Sequence, residues 1–155
     1  MFDKLVSLLD REGACYRVLE HPAEGKSDLV ASIRGTSPGQ GAKAMLCKSK
    51  GPSGPLILAV LPGDRKVDFK KVAAAAGLRT VTLASQEEAM QATGCLIGAI
   101  PPFSFSEDIV LIVDPLLVES HEEIAFNAGR LDRSIVLRSK DYLRIVRPAL
   151  HPLTA

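Results

Sequence analysis

The chain contains no tryptophan, two tyrosines and five phenylalanines in 155 residues. That scarcity argues against reading single-stranded nucleic acid by stacking bases on an aromatic sheet face. Its three cysteines, Cys15, Cys47 and Cys95, are odd in number, far apart and form no C-x-x-C pair. Neither a disulfide framework nor a zinc site is indicated, and the cysteines read as small core residues. His21, His121 and His151 share no ligand spacing and are expected at the surface or in the C-terminal tail. No apolar run approaches the roughly 20 residues that span a bilayer, and the N-terminal residues lack the basic and apolar regions of a signal peptide. The expectation is a cytoplasmic protein with no metal, no cofactor and neither a membrane nor DNA as partner. The G-x-S-x-G elbow, the Walker sequence, G-x-G-x-x-G and H-E-x-x-H are all missing, which removes the common hydrolase, nucleotide-binding and zinc-protease signatures.

What is present suits one domain with a sizeable core, over residues 1–147, followed by a loose tail from Pro148 to Ala155. The net charge of +1 conceals an uneven distribution. From Lys43 to Arg79, eight basic residues face Asp64 and Asp68, leaving +6 there and −5 elsewhere. Such a run is most often a solvated face, and it is also what a polyphosphate partner requires.

Periodicity gives the order of elements. Leu5, Leu8 and Leu9 predict a helix from Asp3 to Arg11, and Tyr16 to Glu20 a strand. Ser27 is expected to cap a helix with Leu29, Val30 and Ile33 on its inner face and Gly35 as its stop. Ala42–Cys47 and Leu56–Leu61, separated by Gly51-Pro52-Ser53-Gly54-Pro55, read as a hairpin of buried strands. Asp68 caps a third helix ending at Gly77, with Val67 and Val72 at staple spacing, and Thr80–Leu83 follows as a strand. Ser85 and Glu88 form the capping box of a fourth helix that ends at Thr93-Gly94. Ile109–Val113, Leu116–Val118, Ile124–Asn127 and Ile135–Leu137 read as strands, and Ser139 opens a last helix carrying Tyr142, Leu143 and Val146. This order predicts an α+β fold with a mixed, mostly antiparallel sheet and surrounding helices.

Two places carry chemistry. Lys43 heads the apolar run Ala42–Cys47, where an ammonium is out of place. It either caps the strand end and snorkels to solvent, or is held at a cleft mouth for a phosphate or a developing oxyanion. The loop Gly94-Cys95-Leu96-Ile97-Gly98-Ala99-Ile100-Pro101-Pro102-Phe103 combines two glycines, which let backbone approach a ligand, with two prolines that stiffen its exit. It is either a plain helix-to-strand connection or a rigid set of backbone N–H donors.

Ala42-Lys43-Ala44-Met45-Leu46, Leu61-Pro62-Gly63-Asp64-Arg65, Thr93-Gly94 followed by Gly98-x-x-x-Pro102-Phe103, Val113-Asp114 and Asn127-Ala128-Gly129-Arg130 occur in this order. Together they resemble the YbaK-like aminoacyl-tRNA deacylases, free-standing relatives of the editing domain of prolyl-tRNA synthetases. The resemblance runs from His21 to Tyr142. It implies a trans-editing hydrolase that cleaves a wrongly attached alanine, serine, threonine or cysteine from the tRNA 3′ end. Lys43 and Gly98 would then be catalytic: Lys43 positions the terminal nucleotide and phosphate, and Gly98 opens a GxxxP loop that holds the ester through backbone donors. Ala99, Ile100, Pro101, Pro102, Phe103, Asn127 and Gly129 would contact substrate. Ala99 and Pro101 depart from the commoner Gly-Gly-x-Ser-Pro form, which bears on pocket width, and an amide at Asn127 cannot act as a base. Water would be activated with help from the substrate's ribose hydroxyl. The partners implied are the tRNA acceptor end, docked on Lys48, Arg65, Lys66, Lys70 and Lys71, and an aminoacyl-tRNA synthetase. The competing reading is a catalytically silent tRNA- or synthetase-binding module of the same fold; a small-ligand regulator is a third.

Overall fold

The computed structural model describes residues 1–50 and 54–155. Positions 51–53 of the expected Gly51–Pro55 turn lie outside that range.

The elements are α1 (Phe2–Arg11), β1 (Tyr16–Glu20), α2 (Ser27–Arg34), a 3-10 turn (Pro38–Gln40), β2 (Ala42–Ser49), β3 (Leu56–Pro62), α3 (Phe69–Ala76), β4 (Val81–Leu83) and α4 (Gln86–Thr93). They continue as β5 (Ile109–Val113), α5 (Pro115–Glu119), β6 (Glu123–Arg130), β7 (Arg133–Arg138), α6 (Ser139–Val146) and β8 (Ala149–Leu150). The strands form two sheets rather than one. The smaller is antiparallel, in the order β1-β7-β6, and the larger runs β4-β2-β3-β5-β8. In the larger sheet β2 pairs antiparallel with β3 and β4, while β3–β5 and β5–β8 are parallel.

Strand β3 explains its own composition. Leu58 and Val60 face one apolar cluster with Leu5, Leu9, Phe126, Ile135 and Tyr142. Ile57 and Ala59 face another with Cys47, Val72, Ile112 and Leu153. A strand covered on both faces has no solvent side to keep polar, so it reads as an unbroken apolar run.

The predicted caps of α3 and α4 are present. Asp68 accepts from the N–H groups of Lys70 and Lys71, at 3.0 and 3.4 Å. Ser85 Oγ accepts from Glu88 N–H at 3.1 Å, and Glu88 accepts from Ser85 N–H at 2.9 Å. Lys48 on β2 donates to the same Glu88 carboxylate at 2.8 Å, which with the capping bonds holds its pKa down to about 2.

Four expectations need correction. Leu116–Val118 is helical, within α5, because Asp114 caps it by accepting from Leu116 N–H at 2.9 Å and Pro115 supplies a preset φ at its first position. In α2 the inner face is Val30 and Ala31; Leu29 and Ile33 are 47% and 42% exposed, and Ser27 sits in the first turn with Lys26 at the cap. Cys15 is exposed, whereas Cys47 and Cys95 are buried.

The fourth correction is the tail. Residues 148–155 are docked, not loose: β8 lies parallel to β5 and Leu153 is fully buried. Thr154 bridges Val67, and Ala155 N–H donates to the Lys66 carbonyl at 2.9 Å. The buried Asp114 accepts from Leu153 N–H at 2.8 Å, so one carboxylate caps α5 and anchors the tail.

Asp114→Ala should therefore destabilise the protein by about 2 kcal/mol, the usual cost of stranding a buried donor. Denaturant melts would check the cost, and faster amide exchange at Leu153 would check the anchor; wild-type exchange there would show that the tail is held by packing alone.

Candidate active site

A cleft of about 170 Å³ opens where the start of β2, the first turns of α2, the loop after α4 and Asn127 on β6 converge. It gathers Lys43, Gly98, Ile100 and Asn127, which lie up to 84 positions apart in sequence. A roomier groove of about 710 Å³, lined by residues 118–123, 138–140 and Leu143, contains none of them.

Lys43 stands opposite Leu61 in the β2–β3 ladder, one residue into its strand. It is half-buried, and its ammonium donates to the Arg65 carbonyl in the turn after β3. Loss of water pulls its pKa below the usual lysine value, against the opposing attraction of Asp64. The ammonium is thus restrained at the cleft rather than waving in solvent, with hydrogens to spare beyond the one spent on Arg65.

Gly98 adopts φ +92°, the left-handed region. A Cβ there would stand 3.0 Å from the Gly25 Cα and 3.1 Å from the Gly25 carbonyl oxygen. Two backbones therefore meet across the rim with no room for a methyl group. The loop is held on each side: Ile97 N–H donates to Gln86 Oε1 at 3.1 Å, Ala99 N–H to the Leu96 carbonyl at 2.9 Å, and Gly129 N–H to the Ala99 carbonyl at 2.9 Å. Among the described residues, the N–H groups of Gly98 and Ile100 have no acceptor.

Asn127, 5% exposed, spends its whole amide inside the protein. Its Nδ2 donates at 2.8 Å to both the Glu24 and Gly98 carbonyls. Its Oδ1 accepts from Arg34 at 3.0 Å and from Ser134 Oγ at 3.1 Å. Two donors and two acceptor positions are all an amide has. Asn127 therefore braces the cleft and keeps nothing for a ligand. Arg34 Nε also donates to Ser134 Oγ at 2.7 Å, and His21 Nε2 lies 2.7 Å from that oxygen.

The remaining candidates sit elsewhere. Ala99 is buried behind the loop, and Pro101 faces a separate cavity bordered by Met1 and Lys4. The Pro102 carbonyl accepts from Tyr142 Oη at 2.6 Å, and Phe103 packs in the core, 5.4 Å from the Tyr142 ring and 5.7 Å from that of Phe126. Gly129 abuts the Met1 side chain. None of these five lines the cleft. Of the basic residues, Arg65, Lys66 and Lys70 are exposed. Lys48 is paired with Glu88, and the Lys71 ammonium donates to the Thr154 carbonyl at 2.7 Å. Arg34, Ser134, His21 and Gly25 had no motif to mark them, because each acquires its neighbours only through tertiary pairing.

Comparison with known proteins fits this geometry. Residues 21–145 match the aminoacyl-tRNA editing domain, a span that holds every cleft residue. The chain is 49% identical over 148 residues to the multifunctional Ser/Thr-tRNA deacylase ProXp-y of Escherichia coli strain K12, covering 95% of this chain and 89% of that protein. Among solved structures, the hypothetical protein APE2540 superposes with a TM-score of 0.87 at 22% identity, over 98% of this chain and 99% of the other. One described as a candidate trans-editing enzyme for prolyl tRNA synthetase gives 0.84 at 21% identity, over 99% and 96%. With a matched span that contains the whole cleft and a relative alike at nearly half its positions, the chain belongs to the aminoacyl-tRNA editing domain family.

Proposed function

We propose that this cleft takes the 3′ end of a tRNA mischarged with serine or threonine and hydrolyses the ester. The observation that carries this is the meeting of a restrained lysine with a glycine loop whose Gly98 and Ile100 N–H groups are unspent. The 49% identity to a Ser/Thr-tRNA deacylase supports the substrate choice. At about 170 Å³ the cleft is also smaller than ordinary small-molecule pockets, which begin near ~300 Å³, so it favours a compact aminoacyl group.

In this reading water adds to the acyl carbon, and negative charge collects on the carbonyl oxygen. The unspent backbone donors and the Lys43 ammonium stabilise that charge without reorganising. The ribose oxygen leaves and takes up the proton lost by the water, giving free amino acid and tRNA. No side chain in the cleft is placed as a base, so the neighbouring ribose hydroxyl of the substrate orients the water. Asn127 moves from substrate contact to brace, since its amide is fully spent. The exposed Arg65, Lys66 and Lys70 receive acceptor-stem phosphates. An aminoacyl-tRNA synthetase releasing its product is the protein partner this reading supplies, and translation sets the compartment as the cytoplasm.

Lys43→Ala should lower single-turnover deacylation of Ser- or Thr-mischarged tRNA by on the order of 100-fold, with little change in melting temperature. A variant as active as wild type would remove Lys43 from the chemistry. Gly98→Ala should be comparably impaired, and should cost about 1–3 kcal/mol through strain at positive φ. Full activity there would move the ester elsewhere, and tRNA binding without any wild-type hydrolysis would favour the silent module. Lys66→Ala combined with Lys70→Ala should weaken tRNA binding and reduce its salt slope by roughly one for each phosphate no longer neutralised, leaving the saturated single-turnover rate unchanged. An unaltered salt slope would show that these side chains only face solvent.

A further inference from the structure

Arg34 is the largest unexplained expense of the site. Arg34 lines the cleft with its guanidinium partly buried, yet it makes no ion pair with a carboxylate among the described residues. Its hydrogen-bond partners are neutral, Ser134 Oγ at 2.7 Å and Asn127 Oδ1 at 3.0 Å. Burial pulls its pKa below the usual arginine value, to about 10. A buried cation without a counter-charge is a poor way to stabilise a fold, and an apolar side chain of similar length is often neutral or better.

What the cation secures is the position of an amide. The Glu24 and Gly98 carbonyls accept only, so they fix the Nδ2 end of the Asn127 amide, and the Oδ1 end needs donors on the opposite side. Arg34 supplies one of those donors, so the amide is clamped in place between the guanidinium and the Glu24 and Gly98 carbonyls. Its planar fork contacts Ser134 as well, and Ser134 stands directly opposite Asn127 in the β6–β7 ladder. The Gly98 carbonyl so held shares its peptide plane with the Ala99 N–H, which is fixed on Leu96. The Gly25 backbone packs against the same loop, close enough to leave no room for a Cβ at Gly98.

We infer that Arg34 is a positioning residue for ester hydrolysis, acting through the Asn127 amide to set the Gly98–Ile100 backbone donors at the height of the reacting carbonyl. This rests on the deacylase reading above. A misplacement of about 1 Å in such a donor set costs on the order of 100-fold in rate, which is the scale of effect at stake.

The test is Arg34→Met, with Arg34→Lys and Ser134→Ala beside it, measured as single-turnover deacylation of Ser- and Thr-mischarged tRNA over a range of enzyme concentration. Arg34→Met should lose on the order of 10- to 100-fold in the saturated rate, keep its half-saturating concentration within about twofold, and melt no lower than wild type. Arg34→Lys should resemble Met rather than wild type, because an ammonium cannot reproduce the two-point fork. Ser134→Ala, which leaves the backbone ladder intact, should lose rate in the same manner to a smaller degree, and it carries the test if the Met variant does not fold. An undiminished rate in folded Arg34→Met and Ser134→Ala overturns the inference. So does a raised half-saturating concentration with the rate preserved, which would make Arg34 a direct substrate contact, or a rate that falls only in step with melting temperature. A wild-type protein inactive on both tRNAs would sink the deacylase reading instead. The positioning claim would then be judged by amide exchange at Ala99, expected to accelerate in Arg34→Met; unchanged exchange refutes it independently.

Discussion

One primary amide holds the working end of this molecule together. Asn127 joins the segment before α2, α2 itself through Arg34, the loop after α4 through Gly98, and β7 through Ser134. Its backbone belongs to the small antiparallel sheet, whereas Lys43 belongs to the larger one. The cleft lies where the two meet, so its geometry is only as constant as the brace across it. A side chain with every hydrogen-bonding position filled suits that task, because any displacement breaks more than one bond at once.

The charges follow the same logic. The protein is close to neutral overall, yet its cleft holds two cations, and both are pulled to lower pKa by loss of water. Arg34 is turned inward on neutral partners. Lys43 is tethered to a backbone carbonyl and keeps capacity to donate. Both line the cleft, Arg34 bonded through two nitrogens to Ser134 and Asn127 and Lys43 through one hydrogen to a backbone carbonyl. In the basic run read from the sequence, Lys48 and Lys71 fasten elements to one another through Glu88 and the Thr154 carbonyl, and Lys71 is exposed along with Arg65, Lys66 and Lys70.

Much of the fold was legible in the residues because the signals were local. The caps at Asp68 and Ser85 act within three positions, and β3 announced its burial through composition. The errors arose where a local signal was outweighed or absent. Asp114-Pro115 marks a helix start, but the apolar residues after it resemble a strand. The tail has weak periodicity and is fixed by partners more than 30 residues away, Asp114 and Val67 among them. In the site, Lys43 and the Gly98 loop stood out by local composition, a lysine in an apolar run and paired glycines before paired prolines, and the family resemblance gave them roles. Arg34 and His21 did not stand out, since a lone arginine at a helix end and a histidine after a strand both look solvated. The available hint was that Asn127 and Ser134 are polar residues inside otherwise apolar strands; only the register that sets them opposite each other gives the hint meaning.

The contact of Gly98 with Gly25 bears on how such a pocket could change over evolutionary time. At that rim the wall is backbone on both sides, so no series of side-chain replacements can widen or narrow it by degrees. Variation in the size of the cleft must enter through the aliphatic lining, at Val30, Met45 or Ile100, where a methylene can be added or removed alone. The rim would then be inherited unchanged while specificity drifts around it, as a fixed jaw outlasts the inserts fitted opposite.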